Sequence, residues 1–424
     1  MYKYSIYNNI VILDDGTKVL YNSMSHAILK LKENLPPSIT SLPTKIKEEF
    51  VKNGVIVDNH INEYEIVLKR IKENLITNKY FNLIINPTLN CNCRCWYCIE
   101  KHPQSKMSEE TISQVKSLVL KILSTVQGIV LSFFGGEPFL EFQDIVSPLM
   151  QWANDLCISH NKRLSFVFTS NSLLLNQTIL NTLSKYDNIS FQITLDGNRE
   201  KHNKVRKLPN GDSYLRIINN IKELTSLGIN VLLRLNITHD NIHSIQEIAE
   251  EFVSFSTKAK HHITLTCQQV WQDVSNGKLY TQFFDIYKRF AEIGIYPNDM
   301  SLDFVTGSCY ADKLNDVLVN YNGDLYKCTA LEYNGNDHIG NINTHDTLEL
   351  LSKNFKEFVK SKTSNTNCQS CRVFPLCTKG CYKYIMINKE NCLYPTDKDK
   401  DLLVKNNLEL IAFLNYIKIL KQHT

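Results

Sequence analysis

From Phe81 onward the sequence repeats one rhythm. An apolar run of strand length alternates with an amphipathic stretch of helix length. The runs are FNLIINPT, GIVLSFFG, RLSFVFTS, ISFQITLD, INVLLRLNIT and HHITLTC, and the helices include TISQVKSLVLKIL, DIVSPLMQWANDL and SYLRIINNIKELTSLG. Near-continuous apolar strands separated by helices form a parallel sheet covered by those helices. Six such units predict an α/β fold with a partial, TIM-like (β/α)6 barrel over residues 81–298. In such barrels the chemistry collects at the C-terminal ends of the strands.

The rest of the composition narrows the class. The net charge of +4 is small for 424 residues, so no nucleic-acid partner is expected. No apolar run reaches the roughly 20 residues that cross a bilayer, so no membrane role is expected. The start, MYKYSIYNNIVILDDG, lacks the basic-then-apolar order of a secretory signal, which predicts a cytoplasmic protein. Thiols stay reduced there, so many cysteines suggest metal rather than disulfides. Eleven of the 13 fall in two groups, four at 91–98 and seven over 309–392, while Cys157 and Cys267 stand alone.

Residues 1–78 read as a separate small unit. KYSIYNN, IVILDD and KVLYN alternate like strands, with Asp15-Gly16 as a hairpin turn. SMSHAILKLKENL, TKIKEEFVKNG and the stretch from Glu63 to Leu75 read as helices. Three strands followed by three helices resemble a winged-helix-like peptide-recognition element, which implies a precursor peptide whose leader is held by residues 1–78. A plain capping domain has the same pattern. The tail 398–424 reads as a packing helix.

The first cysteine group, NCNCRCWYC at 90–98, follows the first barrel strand. Neighbours this close mostly fail disulfide geometry, whereas a short loop can wrap an inorganic centre. Alone, three thiols also suit zinc or simple burial. Cys91, Cys95 and Cys98 give C-x3-C-x2-C, with Tyr97 before the last, and this resembles the signature of radical S-adenosylmethionine (SAM) enzymes. The resemblance implies a [4Fe-4S] cluster with one iron left to chelate SAM, and reductive cleavage of SAM to a 5′-deoxyadenosyl radical. An external donor of the flavodoxin or ferredoxin type is implied with it. Cys93 falls out of register and reads as a bystander.

Later strand ends agree. Gly135-Gly136-Glu137-Pro138 resembles the family's SAM-amino-binding motif, since glycines allow close approach and a carboxylate complements an ammonium. Thr169, Ser170 and Asn171 offer short polar groups suited to ribose hydroxyls. Thr194 and Asp196-Gly197, followed by His202 and Arg206, resemble the family's fourth-strand stretch. Either Arg206 or Arg216 suits the SAM carboxylate, and the fifth strand adds Arg234 and Asn236.

The second group reads Cys309-x13-Gly323-x4-Cys328, then Cys368-x2-Cys371-x5-Cys377-x3-Cys381, then Cys392. C-x2-C also serves structural zinc. The complete spacing resembles a C-terminal SPASM domain, here expected over 299–397. The resemblance implies two auxiliary [4Fe-4S] clusters, three in all. One takes Cys368, Cys371, Cys377 and Cys392, the other Cys309, Cys328 and Cys381. Sulfatase maturases carry an eighth cysteine where this chain has SLDFVTGS, so the resemblance implies either an iron left open for substrate or another ligand, Cys267 being the one spare thiol on a late strand. They also place an aspartate base after the cysteine of the G-x4-C stretch, where this chain has Thr329, with Glu332 and Asp303 nearby. The implied activity is a radical SAM oxidoreductase that crosslinks or otherwise oxidises a precursor peptide. An anaerobic sulfatase-maturating enzyme and a non-catalytic iron–sulfur peptide binder are the alternatives.

Overall fold

All six apolar runs form strands, and each buries the face that its alternation selects. The computed structural model describes residues 1–76, 79–208, 211–276, 279–298, 309–389 and 392–423. The expected boundaries at 78 and 299, and the stretch 301–308 with Asp303, lie outside these. The chain divides into two units. One comprises Met1–Thr77, Ser301–Leu314 and Ser352–Asn415; the other comprises Asn78–Met300, Asn315–Leu351 and Tyr416–Thr424.

In the first unit, β1 (Tyr2–Tyr4) pairs antiparallel with β5 (Ile56–Asp58). β2 (Asn8–Ile12), β3 (Lys18–Asn22) and β4 (Ile28–Lys30) form an antiparallel meander. Two α-helices complete this segment, α1 (Thr44–Lys52) and α2 (Glu63–Leu75), the latter capped by the Asn62 side chain. The helix expected over SMSHAILKLKENL is a strand instead. Asn22 accepts from the amides of Met24 and Ser25, and His26 takes a left-handed φ of 59°. Together they turn the chain back so that Ile28–Lys30 pairs with β3. Local side-chain bonds here outcompete helix formation.

In the second unit, β6 (Tyr80–Ile85), β7 (Gly128–Phe133), β8 (Arg163–Thr169), β9 (Ile189–Leu195), β10 (Asn230–Ile237) and β11 (Ile263–Gln269) lie parallel in chain order. The crossovers carry α3 (Glu109–Leu123), α4 (Ser147–Ser159), α5 (Gln177–Leu183), α6 (Arg199–Val205), α7 (Ser213–Ser226) and short turns α8 (Ile242–Ile245), α9 (Ile248–Val253) and α10 (Thr257–His261). After α11 (Tyr280–Glu292), β12 (Tyr296–Pro297) extends one edge in parallel. The other edge is extended by β13 (Asp316–Val319), parallel to β6, then by antiparallel β14 (Asp324–Tyr326) and β15 (Gly340–Asn341). The start of the cysteine-rich segment therefore pairs with the first barrel strand. Asn82 donates to Asp316 at 2.7 Å across that seam, and Asn86 to Asn320 at 3.2 Å.

Burial alternates strictly along β9 and β11. Ile193, Leu195, Leu265 and Cys267 are buried, while Gln192, Thr194, Thr264, Thr266 and Gln268 are half-buried. Along these two strands one face is thus dry and the other polar.

The remainder of the chain supplies α12 (Thr347–Thr363), the single turn α13 (Phe374–Cys377) and the long α14 (Asp397–His423). Within the first unit, Val11, Val19 and Tyr21 form one apolar cluster with Val373, Leu376 and Val404. Tyr64 also meets Phe374 ring to ring at 5.2 Å. The N-terminal sheet therefore shares its core with the cysteine-rich loop.

Candidate active site

The loop after β6 reaches the ends of β7 and β8 because two glycines admit it. A Cβ on Gly136 would lie 2.1 Å from the Asn90 carbonyl oxygen, and one on Gly135 would lie 2.4 Å from that of Thr88. Gly136 and Glu137 donate back to the Thr88 and Asn90 carbonyls at 3.1 and 2.8 Å. In this structure, then, the glycines make room for the cysteine loop itself. Glu137 is fully buried, opening the short turn that begins at Pro138. Its carboxylate accepts from Ser170 Oγ (2.8 Å), Asn171 N (2.9 Å) and Phe139 N (3.1 Å). Burial, with Cys91 second, pushes it up to about 7.

Cys91, Cys95 and Cys98 are half-buried, while Cys93 is buried, as a bystander would be. The Cys93 hydrogen bond lowers Cys91 to about 6, whereas burial pushes Cys98 up to about 11. Cys98 also feels the charges of Cys95 and Cys91, which places the three thiols within electrostatic reach of one another. Asn171 donates to Asn92 at 2.7 Å, tying the loop to the end of β8, where Thr169 is half-buried.

Tyr97, Asp196 and Arg206 form a closed triangle. Tyr97 Oη donates to Asp196 Oδ1 (2.6 Å), Arg206 Nε to Asp196 Oδ2 (2.7 Å) and Arg206 Nη2 to Tyr97 Oη (3.0 Å). His202 Nδ1 accepts from the Asp196 amide at 3.2 Å. Burial opposes ionisation of Asp196, but Arg206 and His202 outweigh it and hold the carboxyl below its ordinary range. Burial lowers His202 to about 4, so it is neutral at pH 7. Arg216, the alternative to Arg206, is exposed on α7. Arg234, whose charge burial disfavours, donates to Asn236 at 2.9 Å.

A cavity of about 400 Å³ opens beside this triangle, lined in part by Trp96, Tyr97, Asp196, Asn236, Val270 and Asp273. Aromatic faces with a few convergent polar groups suit a nucleoside. The half-buried Thr194 lies on the polar face of β9 leading to it.

Spacing gave no hint of three residues. Asn241 donates to the carbonyls of Asp196 (3.0 Å) and Asn236 (2.9 Å), clamping two strand ends. Trp96 was read only as part of the cysteine loop. Glu100 is pushed up to about 8 by burial, and its Oε1 has no partner.

The later cysteines divide between the units. Cys328 is buried just beyond β14, in the second unit, with Thr329 half-buried after it. Cys309 and Cys381 belong to the first unit, where a buried pair links their segments. Lys362 Nζ lies 3.3 Å from Asp312 and donates to the Gly380 carbonyl at 2.6 Å, and Asp312 accepts from Tyr382 N at 2.8 Å. Cys377 feels the charges of Cys368, Cys371 and Cys392, although burial is what chiefly raises it to about 12. Between Cys377 and Cys381, Thr378, Lys379 and Gly380 all take left-handed φ values of 45°, 60° and 79°. Such strain in non-glycine residues persists only where the surroundings enforce it.

Cys267 does not fit the role of a spare cluster ligand. It is buried on the dry face of β11, where its amide donates to Tyr287 Oη of α11 at 2.9 Å. Among the described residues, no three His, Cys, Asp or Glu side chains converge on a single-ion site. Iron–sulfur cubanes are held instead by thiolates spread around a larger body.

Residues 85–252 match the Radical SAM superfamily, and residues 309–372 match SPASM, an iron-sulfur cluster-binding domain. The chain therefore carries a radical SAM domain and a SPASM domain. It is 25% identical over 357 residues to a cysteine-type anaerobic sulfatase-maturating enzyme of Clostridium novyi, covering 74% of this chain and 89% of that one. The solved structure of the sulfatase maturase anSMEcpe with AdoMet and a peptide covers 81% of this chain and 100% of its own, at 20% identity and a TM-score of 0.59. Streptococcus suis SuiB bound to precursor peptide SuiA covers 92% of this chain and 97% of its own, at 16% identity and a TM-score of 0.55. Radical SAM and SPASM domains bind [4Fe-4S] clusters, and the thiol loops and the cavity beside Tyr97 suit clusters and SAM. Among the described residues, no helix is long and apolar enough to cross a membrane.

Proposed function

We propose that this enzyme matures a ribosomally made precursor peptide in the cytoplasm, oxidising its residues to form a crosslink such as a thioether or carbon–carbon bond. The observation that carries the reading is Thr329. It follows Cys328 at the position where a carboxylate base would serve formylglycine formation, and a hydroxyl is a far weaker base near neutral pH. The wider match to SuiB, whose structure holds its precursor peptide, supports the same choice. So does β4, a short edge strand with Ile28 exposed, which suits addition of an extended leader peptide.

Cys91, Cys95 and Cys98 would hold the SAM cluster, and the two auxiliary sets would be Cys368, Cys371, Cys377 and Cys392, and Cys309, Cys328 and Cys381. When bound, SAM and its cluster supply a carbon radical that abstracts hydrogen, with the electron entering from a flavodoxin- or ferredoxin-type donor. The chain's own residues do the positioning. Glu137 and Asn171 fix the cysteine loop, Tyr97 and Asp196 wall the nucleoside cavity, and Asn241 keeps the strand ends together. Arg206 keeps Asp196 ionised and in place.

Two peptides test the reading. A precursor encoded beside this gene should emerge lighter by two hydrogen atoms after incubation with SAM and reductant. A sulfatase-type Cys-x-Pro-x-Arg peptide should emerge unchanged. Efficient formylglycine formation on the second peptide would reverse the ranking.

A further inference from the structure

Tyr7 is completely buried, yet among the described residues its hydroxyl has no hydrogen-bond partner. A buried hydroxyl left unpaired costs on the order of 1–3 kcal/mol, so such a group calls for a missing acceptor. Its backbone is pinned against the cysteine-rich loop. Asn9 Nδ2 donates both to the Tyr7 carbonyl (2.8 Å) and to that of Arg372 (3.3 Å). Ser23 Oγ does the same, at 3.3 and 2.6 Å. Ser5 bonds Glu63 and accepts from the Tyr7 amide at 3.1 Å, fixing the turn from the other side. Arg372 immediately follows Cys371, and the phenol lies within electrostatic reach of the Cys371 and Cys368 thiols.

We propose that Tyr7 Oη donates a hydrogen bond to a sulfur of the auxiliary cluster held by Cys368, Cys371, Cys377 and Cys392, making the N-terminal segment a positioning element that sets that cluster's potential. Hydrogen bonds to cluster sulfurs stabilise the reduced, more negative state and raise the potential. The inference rests on the cluster assignment proposed above and not on the nature of the substrate.

The test uses the full-length Cys91→Ala/Cys95→Ala/Cys98→Ala protein, reconstituted so that the auxiliary clusters alone remain. In Tyr7→Phe on that background, a redox titration followed by electron paramagnetic resonance should show one cluster moved to lower potential, with its reduced fraction at the parent midpoint down several-fold. An exchangeable deuteron coupling of that cluster should also disappear. Incorporating 3-fluorotyrosine at position 7, a stronger donor, should move the same potential the opposite way. In cluster-free protein Tyr7→Phe should leave the melting temperature unchanged or higher, because the hydroxyl then has no acceptor to lose. Unmoved potentials with full iron occupancy, or an equal loss of melting temperature with and without iron, would overturn the proposal. An iron content below about eight per chain in the parent variant would instead count against the two-cluster assignment itself.

Discussion

The barrel site and the cysteine-rich loop of the other unit are built on opposite principles. Around Tyr97 the protein holds itself: glycine contacts fix the loop, a carboxylate takes three donors, and a buried triangle closes among protein side chains. Around Cys368 to Cys392 the described residues form two short helical turns, Phe374–Cys377 and Lys383–Ile387, a run of left-handed residues and an apolar cluster borrowed from β2 and β3. In the proposed assignment, thiolate–iron bonds would supply here what packing does not, as metal binding does in other small domains. A pre-organised site tolerates loss of its cofactor, and a cluster-dependent one does not.

Removing iron should break that symmetry most visibly. After anaerobic chelation, amide exchange should remain slow along β6–β11 and become fast over residues 365–389. Equal loss in both regions would erase the distinction. The complementary variant, with Cys91, Cys95 and Cys98 all replaced, should yield no 5′-deoxyadenosine. It should retain roughly two-thirds of the iron, since two of three cubanes remain.

Within the barrel, Asp196→Asn should have the next largest effect. It leaves Arg206 buried without its anion, and breaking one partner of such a pair costs about 3–5 kcal/mol. Because the bonds of the triangle run between protein groups, denaturant unfolding should show this loss in cluster-free protein as fully as in loaded protein. Dependence of the loss on iron would mean that the cluster, not the ion pair, organises the site.

How much of this was legible in the sequence follows the same division. The strands and the motifs at their C-terminal ends are readable because periodicity and short motifs are local. Asp196 and Arg206 could be named from their spacing, but their mutual bond could not, since it depends on how α6 turns back onto β9. The helix expected before Leu35 failed because one asparagine, Asn22, redirects the chain. Reading residues 1–78 as a separate unit overlooked the shared core, because Val11 and Val373 are far apart in the chain and no periodicity links them.

Gly136→Ala should follow in size. The added methyl would overlap the Asn90 carbonyl, and overpacking typically costs about 1–3 kcal/mol. The backbone of the cysteine loop is what must move, so this variant should lower iron at the first cluster while sparing the auxiliary ones. Uniform iron loss over all three would show that the effect is global unfolding.

The smallest effect sharpens the comparison from the other side. Tyr21 is fully buried in the cluster that β2 and β3 share with Val373, and its hydroxyl donates to Asn407 of α14 at 2.7 Å. The same oxygen lies 2.7 Å from His26 Nδ1. Among the described residues Asn407 Nδ2 already lacks a partner, so Tyr21→Phe strips the other half of that amide. The cost of leaving a buried acceptor unpaired is about 1–3 kcal/mol. That loss should appear as faster release of iron from the auxiliary clusters, with 5′-deoxyadenosine formation unchanged, because Tyr21 supports the loop and does not line the cavity beside Tyr97. Should SAM cleavage slow in step with iron release, the two regions are energetically one, and the contrast between a self-held site and an iron-held one fails.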